Sequence, residues 1–360
     1  MSEYHNNCKQ HNEDCKSGLK PLSKLQTWLI LLLVAAVGIF FAVRNSDEQQ
    51  NNFKEYHARF TYPCMGTIVD ITFFEPEIAE KAAKAVYNEL LRFENMCNIF
   101  NPESEISRLN ASAADKPFVC SNELYALLKY CQKAHKITEG TFDITAKNLM
   151  DLWGFYRKRS TIPSPAEIKN ALAKTGMDKV IFNDDDKSVY FTVKGMAFDL
   201  GGVAKGAALD NAVAAAKNTG AAKGIINLGG NIGCFGSSKI YGVGIRHPQK
   251  RNEIAGKIFL ADAFCATSGD YERFVTINGR KYSHIMNPLT GYPAENIYSA
   301  TVVSSKGIDS DIFSTACFIL GKDKTQEFTD SQKINEAILI FPAENNSVQY
   351  SYIYNHITKR

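Results

Sequence analysis

The segment AFDLGGVAKGAALDNAV, residues 197–213, constrains this chain more than any other. An apolar run ends at Asp199, two adjacent glycines and Lys205 follow, and the chain then turns alanine-rich. Alanine is the strongest helix former, so the pattern predicts a strand, a bare turn and a helix reaching about Gly220. Such a turn leaves unpaired N–H groups at a helix N-terminus, where the dipole favours an anion. Glycine lets a ligand approach with no Cβ in the way, and Lys205 is placed to meet a phosphate oxygen. The same residues also make an ordinary packing turn. Neither a Walker loop nor GxGxxG is present, so the stretch alone does not choose.

The surrounding chain mixes two periods. Residues 65–73 (MGTIVDITF) alternate Val69, Ile71 and Phe73 with Asp70 and Thr72, which predicts a half-buried strand starting at Met65. From Ile78 the apolar positions 82, 86, 90, 93 and 97 fall three or four apart, a helix with one buried face. Leu124, Leu127, Leu128 and Cys131 repeat that spacing, and Gly140 is a natural stop. A hairpin is predicted where VIF, the turn NDDDK and SVYFTV succeed one another over 180–193. Further strands are expected at 225–234, 241–245, ATVVSS and AILIF, with one helix over Ser310–Gly321. Strands and helices mix without a βαβα rhythm, so the class expected is α+β.

Three other places carry possible chemistry. His284 stands between a strand-like run and the turn TGYP, a loop end from which a general base can project. A structural histidine would look the same. Ser268 in TSGD lacks a GxSxG elbow and is not read as a nucleophile. Asp311 and Thr315 lie four apart and share one helix face. A carboxylate beside a hydroxyl suits a hard cation such as Mg²⁺; two polar residues near a helix start need no cation.

The N-terminus sets the compartment. Residues 28–43, WLILLLVAAVGIFFAV, hold no charge, and Leu25 extends the stretch to 25–43, close to the roughly 20 residues of a spanning helix. Lys9, Lys16, Lys20 and Lys24 precede it, whereas Arg44 is soon followed by Asp47 and Glu48. The positive-inside rule then puts the tail, 1–24, in the cytoplasm and the remainder outside. A signal anchor is preferred to a cleaved signal peptide because the polar tail exceeds twenty residues. Residues 44–57 form a polar tether to a domain over 58–350. With 41 basic and 38 acidic residues and no basic stripe, nothing points to nucleic acid. The nine cysteines include no CxxC pair, which leaves them as small buried apolar residues or, in an oxidising compartment, as disulfides.

Eight motifs occur in one order: MGT at 65–67, FNPESEISRLN at 100–110, FDITAKNLMDLWGF at 142–155, DLGGVAKG at 199–206, NLGGNI at 227–232, ATSGDYERF at 266–274, HIMNPLTGYP at 284–293 and SDIFSTACFILG at 310–321. Together they resemble the FAD:protein FMN transferase (ApbE) family over about residues 60–345. That resemblance implies a single α+β domain with internal pseudo-duplication, related to the T-fold. It implies Mg²⁺-dependent transfer of FMN from FAD to a threonine or serine hydroxyl through a phosphoester bond, with release of AMP. The implied acceptor is a subunit of a membrane redox complex, met on the extracytoplasmic face of the cytoplasmic membrane. By position, Met65, Phe100, Phe142, Asp143, Ile144, Asp199, Lys205 and Ile285 are expected around FAD. Gly202, Asp311 and Thr315 are expected around Mg²⁺, and His284 as the base. Phe100 stands where the family often has tyrosine, and Asn101 where it often has a basic residue. A pyrophosphatase giving FMN and AMP, or a non-catalytic flavin carrier, would use the same pocket.

Overall fold

The computed structural model describes residues 57–236, 240–250, 252–295, 297–344 and 347–354, all within one compact unit, Tyr56–Arg360. The predicted tail, membrane span and most of the tether lie outside the described residues. Among the described residues no helix is long and apolar enough to cross a membrane.

Strands β1 (Ala58–Cys64) and β2 (Thr67–Phe73) pair antiparallel around Met65–Gly66, whose φ angles are 51° and 70°. Two positive φ values in a two-residue loop match the right-handed twist of the strands. Met65 therefore belongs to the turn, and the strand expected to start there starts at Thr67. Helix α1 (Pro76–Cys97) follows, with Ala82, Val86, Leu90 and Phe93 on its buried face. An excursion carries α2 (Glu105–Ser112), β3 (Phe118–Val119), α3 (Asn122–Ile137), α4 (Lys147–Leu152), α5 (Pro165–Leu172), β4 (Val180–Asn183) and β5 (Ser188–Phe191). The hairpin read from VIF–NDDDK–SVYF is β4–β5. The chain returns through α6 (Ala204–Asn218) to β6 (Gly224–Leu228) and β7 (Asn231–Phe235).

The second half begins with the ribbon β8 (Tyr241–Arg246) and β9 (Ile254–Leu260). Strand β10 (Phe264–Gly269) leads to two small hairpins, β11 (Phe274–Ile277) with β12 (Arg280–Ser283), and β13 (Met286–Asn287) with β14 (Tyr292–Pro293). Then come β15 (Ser299–Ser304), α7 (Gly307–Leu320), α8 (Lys322–Asp330), β16 (Glu336–Pro342) and β17 (Val348–Tyr354).

Eight strands make one antiparallel sheet in the order β1-β2-β6-β7-β10-β15-β16-β17. In each half of that order two neighbouring strands are followed, after an intervening helical segment, by a second pair, β6 and β7 in one half and β16 and β17 in the other. The halves meet at β7 and β10 through Phe264↔Gly233 and Cys265↔Ile232. Gly233 is required there, because a Cβ would come within 2.8 Å of the Phe264 ring. Every residue of β15 is buried. It lacks the alternation of a half-buried strand because Ala300 and Val302 pack with α7 on one face and Val303 with β8 and β9 on the other.

The seven cysteines of the described domain are all free and buried. Burial pushes the thiols of Cys64, Cys97, Cys120, Cys234 and Cys317 up to about 12, far above the range where thiolate chemistry proceeds. A thiol reagent at neutral pH is expected to leave these seven unlabelled in the native protein and to label all seven in denaturant, counted by mass spectrometry. Labelling of fewer than seven in denaturant without reductant would reveal a disulfide.

Candidate active site

The turn over residues 199–202 is held from three directions. Residues 196–200 belong to no strand or helix, contrary to the expectation. The backbone of Phe198 is claimed instead by one side chain: its N–H donates to Asn110 Oδ1 at 2.7 Å, and its carbonyl accepts from Asn110 Nδ2 at 2.9 Å. A primary amide offers the same donor and acceptor as a neighbouring strand. Asp199 N–H donates to the Ile144 carbonyl at 2.7 Å. Its carboxylate accepts from the Gly201 N–H at 2.9 Å and from the Tyr156 hydroxyl. Asn110→Ala would leave both Phe198 groups unpaired, at a cost of about 2 kcal/mol or more. The expected readout is a lower denaturation midpoint together with weaker FAD binding, since the loosened segment is the one that sets Asp199.

Behind this turn α6 and α7 touch through glycine. A Cβ on Gly206 would sit 2.6 Å from Asp311 Cβ and collide with the Gly307 carbonyl. The close approach lets Gly206 N–H donate to Asp311 Oδ2 at 2.9 Å. Asp210 completes the joint by accepting from the Gly307 and Ile308 N–H groups at 2.7 and 2.9 Å, satisfying the start of α7. Thr315 lies one turn beyond Asp311, and a Cβ built on Gly202 would be 3.7 Å from its Oγ1. The structure thus gathers Gly202, Asp311 and Thr315, which the sequence had separated by more than a hundred positions. These donors are hard oxygens, the kind that suit Mg²⁺. Among the described residues there is no cluster of three His, Cys, Asp or Glu side chains, so a cation here would rely on hydroxyl and main-chain oxygen as well as Asp311.

His284 follows β12 directly. Its Nδ1 and its backbone N–H both donate to the Arg273 carbonyl, at 3.0 and 3.1 Å. A carbonyl only accepts, so Nδ1 carries a proton, and in the neutral ring the Nε2 lone pair is free. Burial, then the positive charges of Arg273 and Lys205, lower its pKa to about 4. The imidazole is consequently neutral, and able to accept a proton, throughout the physiological range.

Met65, Phe100, Phe142, Asp143, Ile144, Asp199, Gly202, Lys205, His284, Ile285, Asp311 and Thr315 all border one cleft of about 1240 Å³. It opens where the two halves of the sheet meet, and the excursions from both halves wall it. Within it the residues differ in what they offer. Phe100 is 69% exposed, edge-on to Tyr156 at 5.4 Å. Phe142, Ile144 and Ile285 are buried and form apolar wall. Lys205 Nζ donates to Asn231 Oδ1 at 3.1 Å, bracing the α6 start against β7. The Asp143 side chain, 2% exposed, is engaged by Thr145 N–H and Oγ1 at 2.8 and 2.6 Å and lies 3.4 Å from His135 Nδ1. Burial raises its pKa. Asp143 thus shapes the loop beneath the cleft and has little carboxylate surface to give a ligand.

Asn110, Tyr156 and Arg273 are part of this arrangement and were not singled out from the sequence. Asn110 and Arg273 fall inside the quoted motifs, so the signal was present. Tyr156 follows WGF with no pattern of its own.

An antiparallel α+β domain with a cleft where the two halves of its sheet meet has known counterparts. The ApbE family model matches residues 65–339, and the chain belongs to that family. It is 30% identical over 247 residues to the FAD:protein FMN transferase of Klebsiella pneumoniae strain 342, covering 68% of this chain and 77% of that one. With the FAD:protein FMN transferase of Treponema pallidum strain Nichols it shares 29% over 281 residues, 72% of this chain and 77% of that one. The crystal structure of the ApbE protein of Thermotoga maritima superposes with a TM-score of 0.76 at 28% identity, covering 84% of this chain and 98% of its own.

Proposed function

We propose that this protein is a Mg²⁺-dependent flavin transferase that cleaves FAD between its two phosphates, joins the FMN phosphate to a threonine or serine hydroxyl of a target protein, and releases AMP. The observation that carries the reading is the pairing of His284, with Nε2 unprotonated, and the Gly202–Asp311–Thr315 oxygen cluster on one cleft. The names of the relatives support FMN transfer from FAD to a protein.

In this reading His284 Nε2 takes the proton of the acceptor hydroxyl as its oxygen bonds to the FMN phosphorus. AMP departs with the bridging oxygen. Lys205 and Arg273, the two cations that depress His284, meet the phosphate charge. Phe142, Ile144 and Ile285 provide apolar wall, and Met65 and Phe100 a soft surface for a flavin ring. Asp199, fixed by Tyr156 and Gly201, keeps the glycine turn open to the ligand. Mg²⁺ held by Asp311, Thr315 and the Gly202 main chain would neutralise charge on the pyrophosphate. The target is a subunit of a membrane redox complex, reached from an anchor at residues 25–43 with the catalytic domain outside the cytoplasmic membrane.

The test uses the full chain with FAD, Mg²⁺ and a threonine-bearing flavoprotein subunit. A mass increase of one FMN on that subunit after denaturation is the expected result. FMN and AMP without an adduct would replace the transferase by a pyrophosphatase, and FAD left intact would point to a carrier.

A further inference from the structure

Beside Asp311 three hydroxyls make a chain whose direction can be deduced. Ser314 Oγ donates to the Asp311 carbonyl at 2.8 Å. A hydroxyl has one proton, so Ser314 has none left for Ser268 Oγ, 2.9 Å away, and Ser268 is the donor there. That uses the only Ser268 proton. The contact between Ser268 Oγ and Thr315 Oγ1, at 3.3 Å, is therefore donated by Thr315. The order runs from Thr315 to Ser268 to Ser314 to the Asp311 carbonyl. The Asp311 carbonyl is the competing acceptor for Thr315, but at 3.5 Å it is the longer of the two contacts, so the Thr315 proton is assigned to Ser268 at 3.3 Å.

We propose that Ser268 is a positioning residue for Thr315: by accepting the Thr315 proton it leaves the Thr315 lone pairs for the oxygen site shared with Asp311 and Gly202. The inference rests on the cation reading of that site. A lone threonine hydroxyl rotates freely and presents its proton as readily as its lone pairs; a cation requires the lone pairs. Ser268 is suited to the task because it sits on β10, where its backbone pairs with Ala300 of β15, so the acceptor is supplied by rigid sheet rather than by the helix it orients. Ser314 is buried, only 1% exposed, and acts through the chain alone. The chain also explains a feature of TSGD that a nucleophile does not: among the described residues Ser268 has no histidine partner, and its proton is already committed.

The experiment is Mn²⁺ binding to the full chain in detergent, followed by the loss of the free-ion paramagnetic resonance signal, with FAD and acceptor absent. Ser268→Ala is expected to weaken Mn²⁺ binding about tenfold or more, as loss of a partner that orients a metal ligand does. Ser268→Thr is expected to keep it near the wild-type value. Ser314→Ala is the decisive variant: the Ser268 proton, left without its acceptor, turns to Thr315 and reverses that bond, so binding weakens although nothing in the cleft has changed. If Ser268→Ala binds as tightly as wild type while Asp311→Asn binds poorly, the proposal is overturned and the cation site stands. Weak binding by Ser268→Ala with unaltered Ser314→Ala would make Ser268 a direct ligand and overturn the chain. If Asp311→Asn does not differ from wild type, the cation reading itself fails. Thermal midpoints without Mn²⁺ identify a variant that has merely lost its fold, in which case the Ser314→Ala result decides.

Discussion

His284→Ala is expected to slow FMN transfer about 10²–10⁴-fold while FAD binding stays close to wild type. The expectation follows from the tautomer. With Nδ1 committed to the Arg273 carbonyl, the ring has one function left in the cleft, acceptance of a proton at Nε2. Alanine removes that function and no bond to the Gly202–Asp311–Thr315 cluster. The pH profile carries a second, independent expectation. Because the pKa is lowered to about 4, the acid limb of kcat/KM should fall near pH 4, well below the usual histidine range near 6.5. The same shift has a stability consequence. Between about pH 6.5 and 4 the unfolded chain binds a proton at His284 that the folded one does not, so stability is lost as pH falls through that window. An adduct formed at the wild-type rate by the alanine variant would remove His284 from the chemistry, and an acid limb at 6.5 would contradict the half-buried, cation-flanked imidazole.

Gly206→Ala is the second large effect, and it tests the joint beneath the site. The added Cβ meets Asp311 Cβ at 2.6 Å and the Gly307 carbonyl, both parts of a buried helix contact that cannot swing aside as the tip of a flexible side chain would. Relief requires α6 and α7 to separate. Overpacking of this kind costs about 1–3 kcal/mol, read as a fall of several degrees in the thermal midpoint. Separation also lengthens the bond from Gly206 N–H to Asp311 Oδ2, and a shift of about 1 Å at reacting groups can cost 10²-fold in rate. The two readouts should therefore move together. Alanine at the exposed Gly230, where an added Cβ meets nothing within 4 Å but φ is +98°, provides a control whose strain is local to its own turn. Unchanged stability and rate in Gly206→Ala would mean that the helices do not meet as closely as the glycines allow.

Much of this architecture was legible because it is encoded locally. The apolar spacing from Ile78 yields α1, the VIF–NDDDK–SVYF run yields β4–β5, and the order of eight motifs identifies the family and collects twelve residues that line one cleft. Periodicity and turn chemistry act over a few residues, so they survive in a single chain read without its fold. The departures all involve partners far apart in sequence. Met65 leaves its strand for a turn whose N–H is taken by Glu94, 29 positions away. Residues 196–200 look like a strand in sequence but form none; an amide 88 positions earlier takes the Phe198 backbone groups that a neighbouring strand would have paired. Asp143 borders the cleft, with its carboxylate engaged by Thr145 and His135. Tyr156, which carries no motif of its own, reaches Asp199 only through the excursion between α1 and α6. The sequence alone determined the strongly periodic elements, such as α1 and β4–β5, and twelve of the residues that border the cleft, whereas Tyr156 and Arg273 joined them only in the fold. The tertiary structure decided how each polar group is spent, because a buried donor or acceptor must be satisfied by whatever the fold brings near it.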